Sequence, residues 1–305
     1  VSLGRLVVVA GPTGTGKSDL ALDLAERLDG EVVNADSMQL YRGMDIGTAK
    51  LAPEQRRGIT HHLLDVLDIS QRASVAAYQD HAREAIEDIL CRGRTPVLVG
   101  GSGLYVSAVI DRIEFPGTDP AVRAALEAEL VELGTAVLFH RLAGLDPAAA
   151  GAIEPANGRR IVRALEVIAV TGRPFTATLP IPGPPLYDAV LMCLDRETAV
   201  LDERLDRRVR AMVTAGFLDE VAVLGAQGLR DGVTASRALG YPQMLSVLDG
   251  VLDLDAAIIE TVRLTRRFVR RQRSWFGRDR RLLPLDAGAR DLTARAVELA
   301  VAAVS

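Results

Sequence analysis

The octapeptide Gly11-Pro12-Thr13-Gly14-Thr15-Gly16-Lys17-Ser18 is the tightest constraint on what this chain can fold into. It fits the pattern GxxxxGK[ST]. It follows the short β-rich run Leu6 to Ala10 and opens a segment, Ser18 to Leu28, in which Leu20, Leu24 and Leu28 recur at four-residue spacing. Strand, glycine loop and helix start in that order bring bare backbone N–H groups and the positive end of a helix dipole onto phosphate oxygens. Lys17 adds a mobile positive charge, and the Ser18 hydroxyl is suited to a Mg²⁺ ion that bridges phosphate groups. A chance glycine turn is the bland alternative, and the flanking elements argue against it. The motif does not say whose phosphate is bound.

The rest of the N-terminal section repeats this alternation. Glu31–Ala35 and Pro96–Val99 are predicted strands and Val75–Leu90 a helix, which implies an α/β, P-loop NTPase-like fold: a mainly parallel sheet flanked by helices. From about Asp119 the chain becomes alanine- and leucine-rich. Asp119-Pro120 and Asp146-Pro147 each place an acid at a helix N-cap and a proline at the first helical position. A further helix carries Ile161, Leu165 and Ile168 on one face and stops near Gly172. The stiff segment from Pro180 to Pro185 cannot be helical and reads as the return path into the core. Residues 1–115 are therefore expected to form the first part of the core, 116–182 a helical insertion and 183–305 the second part of the core. In that second part, Ala189–Leu194 is a strand and helices follow to the C-terminus.

Composition excludes several classes. With 49% hydrophobic and 25% charged residues among 305, the chain should be globular rather than disordered. Leu6 to Ala10 is too short to cross a bilayer and runs into the glycine loop instead of a cleavage site, so a cytoplasmic protein without membrane attachment is expected. Cys91 and Cys193 sit in no metal-binding pattern and are expected to be buried small hydrophobes. A net charge of −4 excludes an architectural nucleic-acid binder, yet Arg263 to Arg281 holds nine arginines and one acid, leaving −12 for the rest. In this run Arg263, Arg266, Arg267, Arg270 and Arg271 share one side of a helix, with Leu264, Phe268 and Trp275 on another. A polyanion meeting one face fits this stripe better than a membrane surface does. Trp275-Phe276 reads as core packing.

Asn34-Ala35-Asp36-Ser37 falls at the C-terminal end of the second strand, the edge at which open α/β sheets hold ligands. Asp36 could accept a proton there, or could simply be a turn or N-cap aspartate. The third strand ends in Gly100-Gly101 where a nucleotide triphosphatase usually has a metal-binding acid, and no NKxD tetrapeptide is present, which argues against a GTPase. Asp195 could serve as a metal carboxylate or be a solvated strand-end residue. His61 and His62 could touch substrate or end a loop, and they are left out of the site.

Gly11–Ser18, the block Asp36–Lys50, His61–Asp65 and Val99–Tyr105 together resemble the bacterial tRNA dimethylallyltransferase family, as do Arg159–Val167, Arg204–Met212 and Ser236–Tyr241. The likeness covers nearly the whole chain, and the fifteen-residue Asp36–Lys50 block is far more specific than the glycine loop. It implies transfer of a dimethylallyl group from dimethylallyl diphosphate to N6 of the adenosine 3′ of a tRNA anticodon. By the same resemblance Asp36 is the base, Lys17 and Arg208 are catalytic, and Gly11, Pro12, Thr13, Gly14, Thr15, Gly16, Lys17 and Ser18 cradle the diphosphate. Arg204 is a second diphosphate-binding arginine and Mg²⁺ on Ser18 is the cofactor. The implied tRNA contacts are Asp36, Ser37, Met38, Gln39, Ser102, Arg159, Arg160, Ile161, Val162, Arg163, Arg237 and Tyr241, on a protein expected to be a monomer. Pro242 departs from several relatives, which have a basic residue after the Gly-Tyr pair. A small-molecule kinase, a prenyltransferase for free adenine nucleotides and a non-catalytic RNA-binding module are the competing functions. The arginine stripe argues against a mononucleotide substrate, and a phosphate loop beside a strand-end acid argues against a mere binding module.

Overall fold

The computed structural model describes residues 5–113, 115–178 and 183–302. In chain order the elements are β1 (Val7–Ala10), α1 (Lys17–Arg27), β2 (Gly30–Asn34), β3 (His61–His62), α2 (Val75–Cys91), β4 (Thr95–Gly100) and α3 (Gly103–Ile110). Then come α4 (Pro120–Leu133), α5 (Thr135–Leu145), α6 (Pro147–Ala152), α7 (Gly158–Thr171), β5 (Val190–Asp195) and α8 (Thr198–Thr214). The last elements are α9 (Phe217–Ala226), α10 (Tyr241–Leu248), α11 (Leu254–Phe276), β6 (Leu283–Asp286) and α12 (Leu292–Ala302). The chain divides into two compact units, Val1–Ile110 with Pro185–Ser305, and Asp111–Pro184. These boundaries lie a few residues outside the expected 116–182, because α3 ends at Ile110 and the chain leaves the sheet unit there. Of the proline-rich return segment, Pro180 to Pro182 lie outside the described residues.

In the first unit six strands pair in the order β3-β2-β4-β1-β5-β6, every pairing parallel. Strand side chains alternate between faces, and here both faces are covered. Val8, Val33, Leu98 and Leu191 pack with Ile86 and Ile89 of α2 and Val106 and Val109 of α3. Their neighbours Val7, Val9, Val32, Val97 and Met192 pack with Leu20 and Leu24 of α1 and Ala296 and Ala300 of α12. Burial on both faces is why β1 reads as an unbroken apolar run. A third cluster joins Tyr41 and Met44 to Phe217, Val221, Tyr241 and Met244 of α9 and α10. Two strands were not expected: β3 has only two residues, too few for a periodic signal, and β6 interrupts the C-terminal helices. In β6 only Leu285 is buried, as expected of a sheet edge.

Neither cysteine behaves as expected. Cys91 is exposed at the last turn of α2, and Cys193 is half-buried on β5, where burial pushes its thiol up to about 11.

At the opposite end of β2 from Asp36, the Glu31 side chain is buried and bonded by Arg92, by Arg94 at 2.7 Å and by His62 Nε2 at 2.7 Å. The Arg92 hydrogen bond, followed by those of His62 and Arg94, outweighs burial and holds the carboxyl down at about 2 rather than 4.5. A carboxylate whose folded value is depressed stabilises the fold above its unfolded value, and that stabilisation is lost as pH falls from 4.5 toward 2. Glu31→Gln is expected to lower stability at pH 7 by roughly 2–3 kcal/mol and to remove this acid-limb dependence. Urea unfolding at pH 7 and pH 3 measures both.

The second unit is helical. Asp119 accepts the Ala121 N–H at 2.8 Å, and Asp146 accepts the Ala149 N–H at 3.0 Å, so both act as N-caps ahead of prolines. Asn157 caps α7, and Gly172 ends that helix in the left-handed region. Ile161, Val162 and Leu165 of α7 pack on Leu126, Leu138 and Leu142.

Candidate active site

The strand order sets out the site. β4 lies between β2 and β1, so Asp36 after β2, Gly101-Ser102 after β4 and the glycine loop after β1 stand side by side along one sheet edge. In the loop, Gly11 has φ +137° and comes so close to β5 that a Cβ would lie 2.2 Å from the Leu194 carbonyl oxygen. A side chain there would therefore force the loop off the sheet. The loop feeds directly into the N-terminus of α1. Thr15 Oγ1 donates to the Pro12 carbonyl at 2.9 Å, and Lys17 Nζ bends back to the same oxygen at 2.6 Å. Burial lowers the Lys17 ammonium to about 8, with Asp36 opposing that shift and Arg208 adding to it.

Two arginines one turn apart on α8 face this loop. Arg204 Nε donates to the Gly14 carbonyl at 3.1 Å, and Arg208 Nη1 reaches Thr13 Oγ1 at 3.5 Å. Leu201 and Leu205 beneath them pack with Val269 of α11, which fixes the turn of α8 that carries the cations.

Asp36 is placed by Asn34, whose Oδ1 accepts the Asp36 N–H at 2.9 Å and whose Nδ2 donates to the Asp36 carbonyl at 3.0 Å. Asp36 Oδ1 accepts the Met38 N–H at 2.9 Å, so the turn role foreseen as an alternative is present. Its other oxygen remains for a ligand. The block that follows is clamped twice over Asp45 to Lys50. Buried Lys50 bonds Asp45 at 2.7 Å and Asp65 at 2.6 Å, while Glu220 of α9 accepts the N–H groups of Asp45, Ile46 and Gly47.

These elements enclose a cavity of about 480 Å³. Thr13, Asp36, Ser37, Met38, Ser102, Arg208 and Arg237 line it, all expected site residues. Its apolar wall, Leu205, Val209, Met212 and Phe217 from α8 and α9, was not foreseen. Phe268, Arg271, Gln272 and Trp275 of α11 also line the cavity and were not assigned to it. Trp275 corrects the expectation of core packing. It is 45% exposed, and its ring lies against the start of α3, where a Cβ on Gly103 would stand 2.2 Å from Cδ1. Phe276 alone is core. The buried line of α11 is Val262, Val269, Gln272 and Phe276, not Leu264, Phe268 and Trp275.

Several expected contacts are withdrawn from the surface. Tyr241 is fully buried, stacks edge-on against Phe217 and gives its hydroxyl to Glu220 at 2.7 Å, so its side chain is core. Pro242, the departure noted in sequence, is the second residue of α10, in the first turn, where a proline costs no hydrogen bond. Gln39 is half-buried and donates to the Thr48 carbonyl at 3.1 Å. Asp195 accepts from Arg273 at 2.8 Å and is committed to that ion pair. His61 bonds the Ile59 carbonyl and His62 bonds Glu31, which makes both structural.

In the helical unit, Ile161 and Val162 are buried in the core between helices, so only Arg159, Arg160 and Arg163 of that stretch present charge. Arg159 and Arg160 are exposed. Arg163 is tied to the fully buried Glu166 at 2.8 Å and to the Pro116 carbonyl at 2.9 Å. Arg163→Ala is expected to destabilise this unit by about 1–3 kcal/mol, because a buried carboxylate loses one of its two cations. Arg159→Ala, at an exposed position, should leave stability unchanged. Thermal unfolding of both variants separates the two.

With the geometry in place, comparison with known proteins places the chain. The family described as IPP transferase matches residues 39–280. The chain belongs to the IPP transferase family. A tRNA dimethylallyltransferase of Saccharopolyspora erythraea is 65% identical over 286 residues, covering 94% of this chain and 92% of that protein. The crystal structure of a tRNA isopentenylpyrophosphate transferase from Bacillus halodurans is 41% identical, with a TM-score of 0.71 and coverage of 97% and 94%. A eukaryotic dimethylallyltransferase captured acting on tRNA superposes with a TM-score of 0.83 at 27% identity, covering 98% of this chain and 78% of its own. As an IPP transferase the chain has Thr13 of its glycine loop, the strand-end Asp36 and the apolar wall in one cavity, with the rest of Gly11–Ser18 outside its lining. No helix among the described residues is long and apolar enough to cross a membrane.

Proposed function

We propose that this chain transfers a dimethylallyl group from dimethylallyl diphosphate to N6 of the adenosine 3′ of the anticodon in tRNA, acting as a monomer in the cytoplasm. The observation that carries this reading is a single cavity shared by the Asp36 carboxylate, the Arg208 guanidinium and an apolar wall of α8 and α9 side chains, beside the loop that holds Lys17. An allylic diphosphate has a charged half and an apolar half, and this cavity has a wall for each.

In the reaction the C1–O bond to diphosphate breaks as the N6–C1 bond forms. Charge developing on the leaving oxygen is met by the loop amides, Arg208 and Arg204, with Lys17 turning from the Pro12 carbonyl onto the diphosphate. The exocyclic amine is a poor nucleophile because its lone pair is delocalised into the ring. Its proton passes to the Asp36 oxygen not engaged by Met38. The reaction is complete at that point, with diphosphate released. The apolar wall keeps water from the allylic carbon. To arrive there the base leaves its stack, at a cost of a few kcal/mol that an anticodon loop keeps low.

The residues present fit a Mg²⁺ held chiefly by substrate. Ser18 heads α1 beside Lys17, and no cluster of three or more His, Cys, Asp or Glu suited to a metal occurs among the described residues. Magnesium typically takes few protein ligands together with substrate phosphates and water. Ser18 would help hold it, and it would supply further neutralisation of the leaving group. Exposed Arg159 and Arg160 of the helical unit and Arg267, Arg270 and Arg271 of α11 are the cations proposed to grip RNA phosphates.

Incubating the protein with labelled dimethylallyl diphosphate and unmodified tRNA tests the reading. Label is expected in the RNA. Phosphoryl transfer from ATP with no labelled RNA would replace it with the kinase reading.

A further inference from the structure

Gln272 is the one uncharged polar residue within the densest part of the arginine run, and it points inward. It is 5% exposed. Its Oε1 accepts the Thr13 N–H at 3.0 Å, and its Nε2 donates to the Gly101 carbonyl at 2.8 Å. The amide orientation is not in question, since a backbone N–H can only donate and a carbonyl can only accept. One side chain of α11 thus spans the loops after β1 and β4, the two sides of the cavity that flank the sheet edge.

Two further observations fit Gln272 to this place. A Cβ on Gly101 would stand 2.4 Å from Nε2, so glycine at 101 is what admits the amide. Val269, one turn earlier, packs on Leu201 and Leu205, and Phe276, one turn later, packs in the sheet core, so the helix has no freedom to swing Gln272 away. Charge cannot substitute. Arginine or lysine could not accept from Thr13, and an ionised glutamate could not donate to Gly101.

We propose that Gln272 is a positioning residue for the diphosphate, and this rests on the reading of the cavity given above. It occupies the Thr13 amide, which leaves Thr13 to contribute its hydroxyl, and it fixes the first turn of the phosphate loop so that the remaining amides and Lys17 converge on one point. An anion-binding loop is worth most when its donors need no reorganisation. Losing the clamp therefore weakens diphosphate binding more than it weakens the fold.

The test measures binding of inorganic pyrophosphate by calorimetry and of a tRNA anticodon stem-loop by anisotropy. Gln272→Leu is expected to raise the pyrophosphate Kd by roughly tenfold, the loss of about one hydrogen bond's net contribution, and to change the RNA Kd less than twofold. Gln272→Glu keeps the acceptor, loses the donor and regains it when protonated. At pH 8, where the carboxyl is ionised, its pyrophosphate Kd should rise at least as far as that of the Leu variant. Unchanged pyrophosphate affinity in the Leu variant would overturn the proposal. So would equal losses for both ligands, or a Glu variant that binds pyrophosphate as tightly as wild type. Wild-type protein that binds pyrophosphate but transfers no prenyl group would sink the proposed reaction while leaving the role of Gln272 standing.

Discussion

Asp36→Asn is expected to lower kcat for prenyl transfer by roughly 10²- to 10⁴-fold, the usual contribution of a positioned general base. The substitution is nearly isosteric. Asparagine Oδ1 can still accept the Met38 N–H, and the bonds from Asn34 involve only the backbone of residue 36, so the turn that presents the side chain should persist. What is lost is the ability to take a proton from the incoming amine. Removing the carboxylate also removes the influence that raises the Lys17 ammonium, which lowers Lys17 further. The comparison therefore belongs at pH 7 and below, where Lys17 keeps its charge. Initial rates of label transfer under saturating RNA and diphosphate, with pyrophosphate affinity measured on the same protein, separate proton transfer from binding. An Asn protein that kept more than a tenth of wild-type kcat would remove Asp36 from the chemistry and return it to the turn.

The sheet was legible because fully buried strands are written as apolar runs and because a phosphate loop announces the strand before it and the helix after it. Asp36 could be placed by the same logic, since strand ends on one edge of a parallel sheet converge whatever lies between them. The arginine run was legible as charge but not as geometry. Arg273 is spent on Asp195 and Arg281 on Asp279, while Trp275, expected in the core, lines the cavity together with Phe268. A projection around one helix cannot tell a core face from a pocket face, because both are apolar. Tyr241, Ile161 and Val162 show the reverse error. A segment matched by motif contains the residues a ligand would meet and also those that hold the segment in place, and motif matching does not separate them. The one signal that could have marked Gln272 was its contrast with its neighbours, an uncharged amide flanked by Arg270, Arg271 and Arg273.

Lys17→Met should cost roughly 10²- to 10³-fold in kcat/KM, comparable to deleting one preorganised donor from an anion site. The same substitution should make the free protein more stable. Burial holds the Lys17 ammonium at about 8 against 10.5 in the unfolded chain, so the charged form is disfavoured by folding. For a base lowered in this way the unfolded chain binds more protons between pH 8 and 10.5, and wild-type stability rises with pH across that window relative to the Met variant. Below pH 8 the full cost of the buried charge is present. There the variant should be more stable by about 1–3 kcal/mol, as expected when an active-site charge is kept for function at the expense of the fold. Diphosphate affinity follows the opposite slope, since only the ammonium form attracts the ligand. In the wild type it should weaken as pH rises above 8, and in the Met variant that limb should be absent. Urea unfolding and pyrophosphate titration of both proteins at pH 7, 8.5 and 10 read the two slopes together. A Met variant less stable than wild type at pH 7 would mean that the bond from Lys17 to the Pro12 carbonyl is a structural tie, not the resting state of a cation waiting for phosphate.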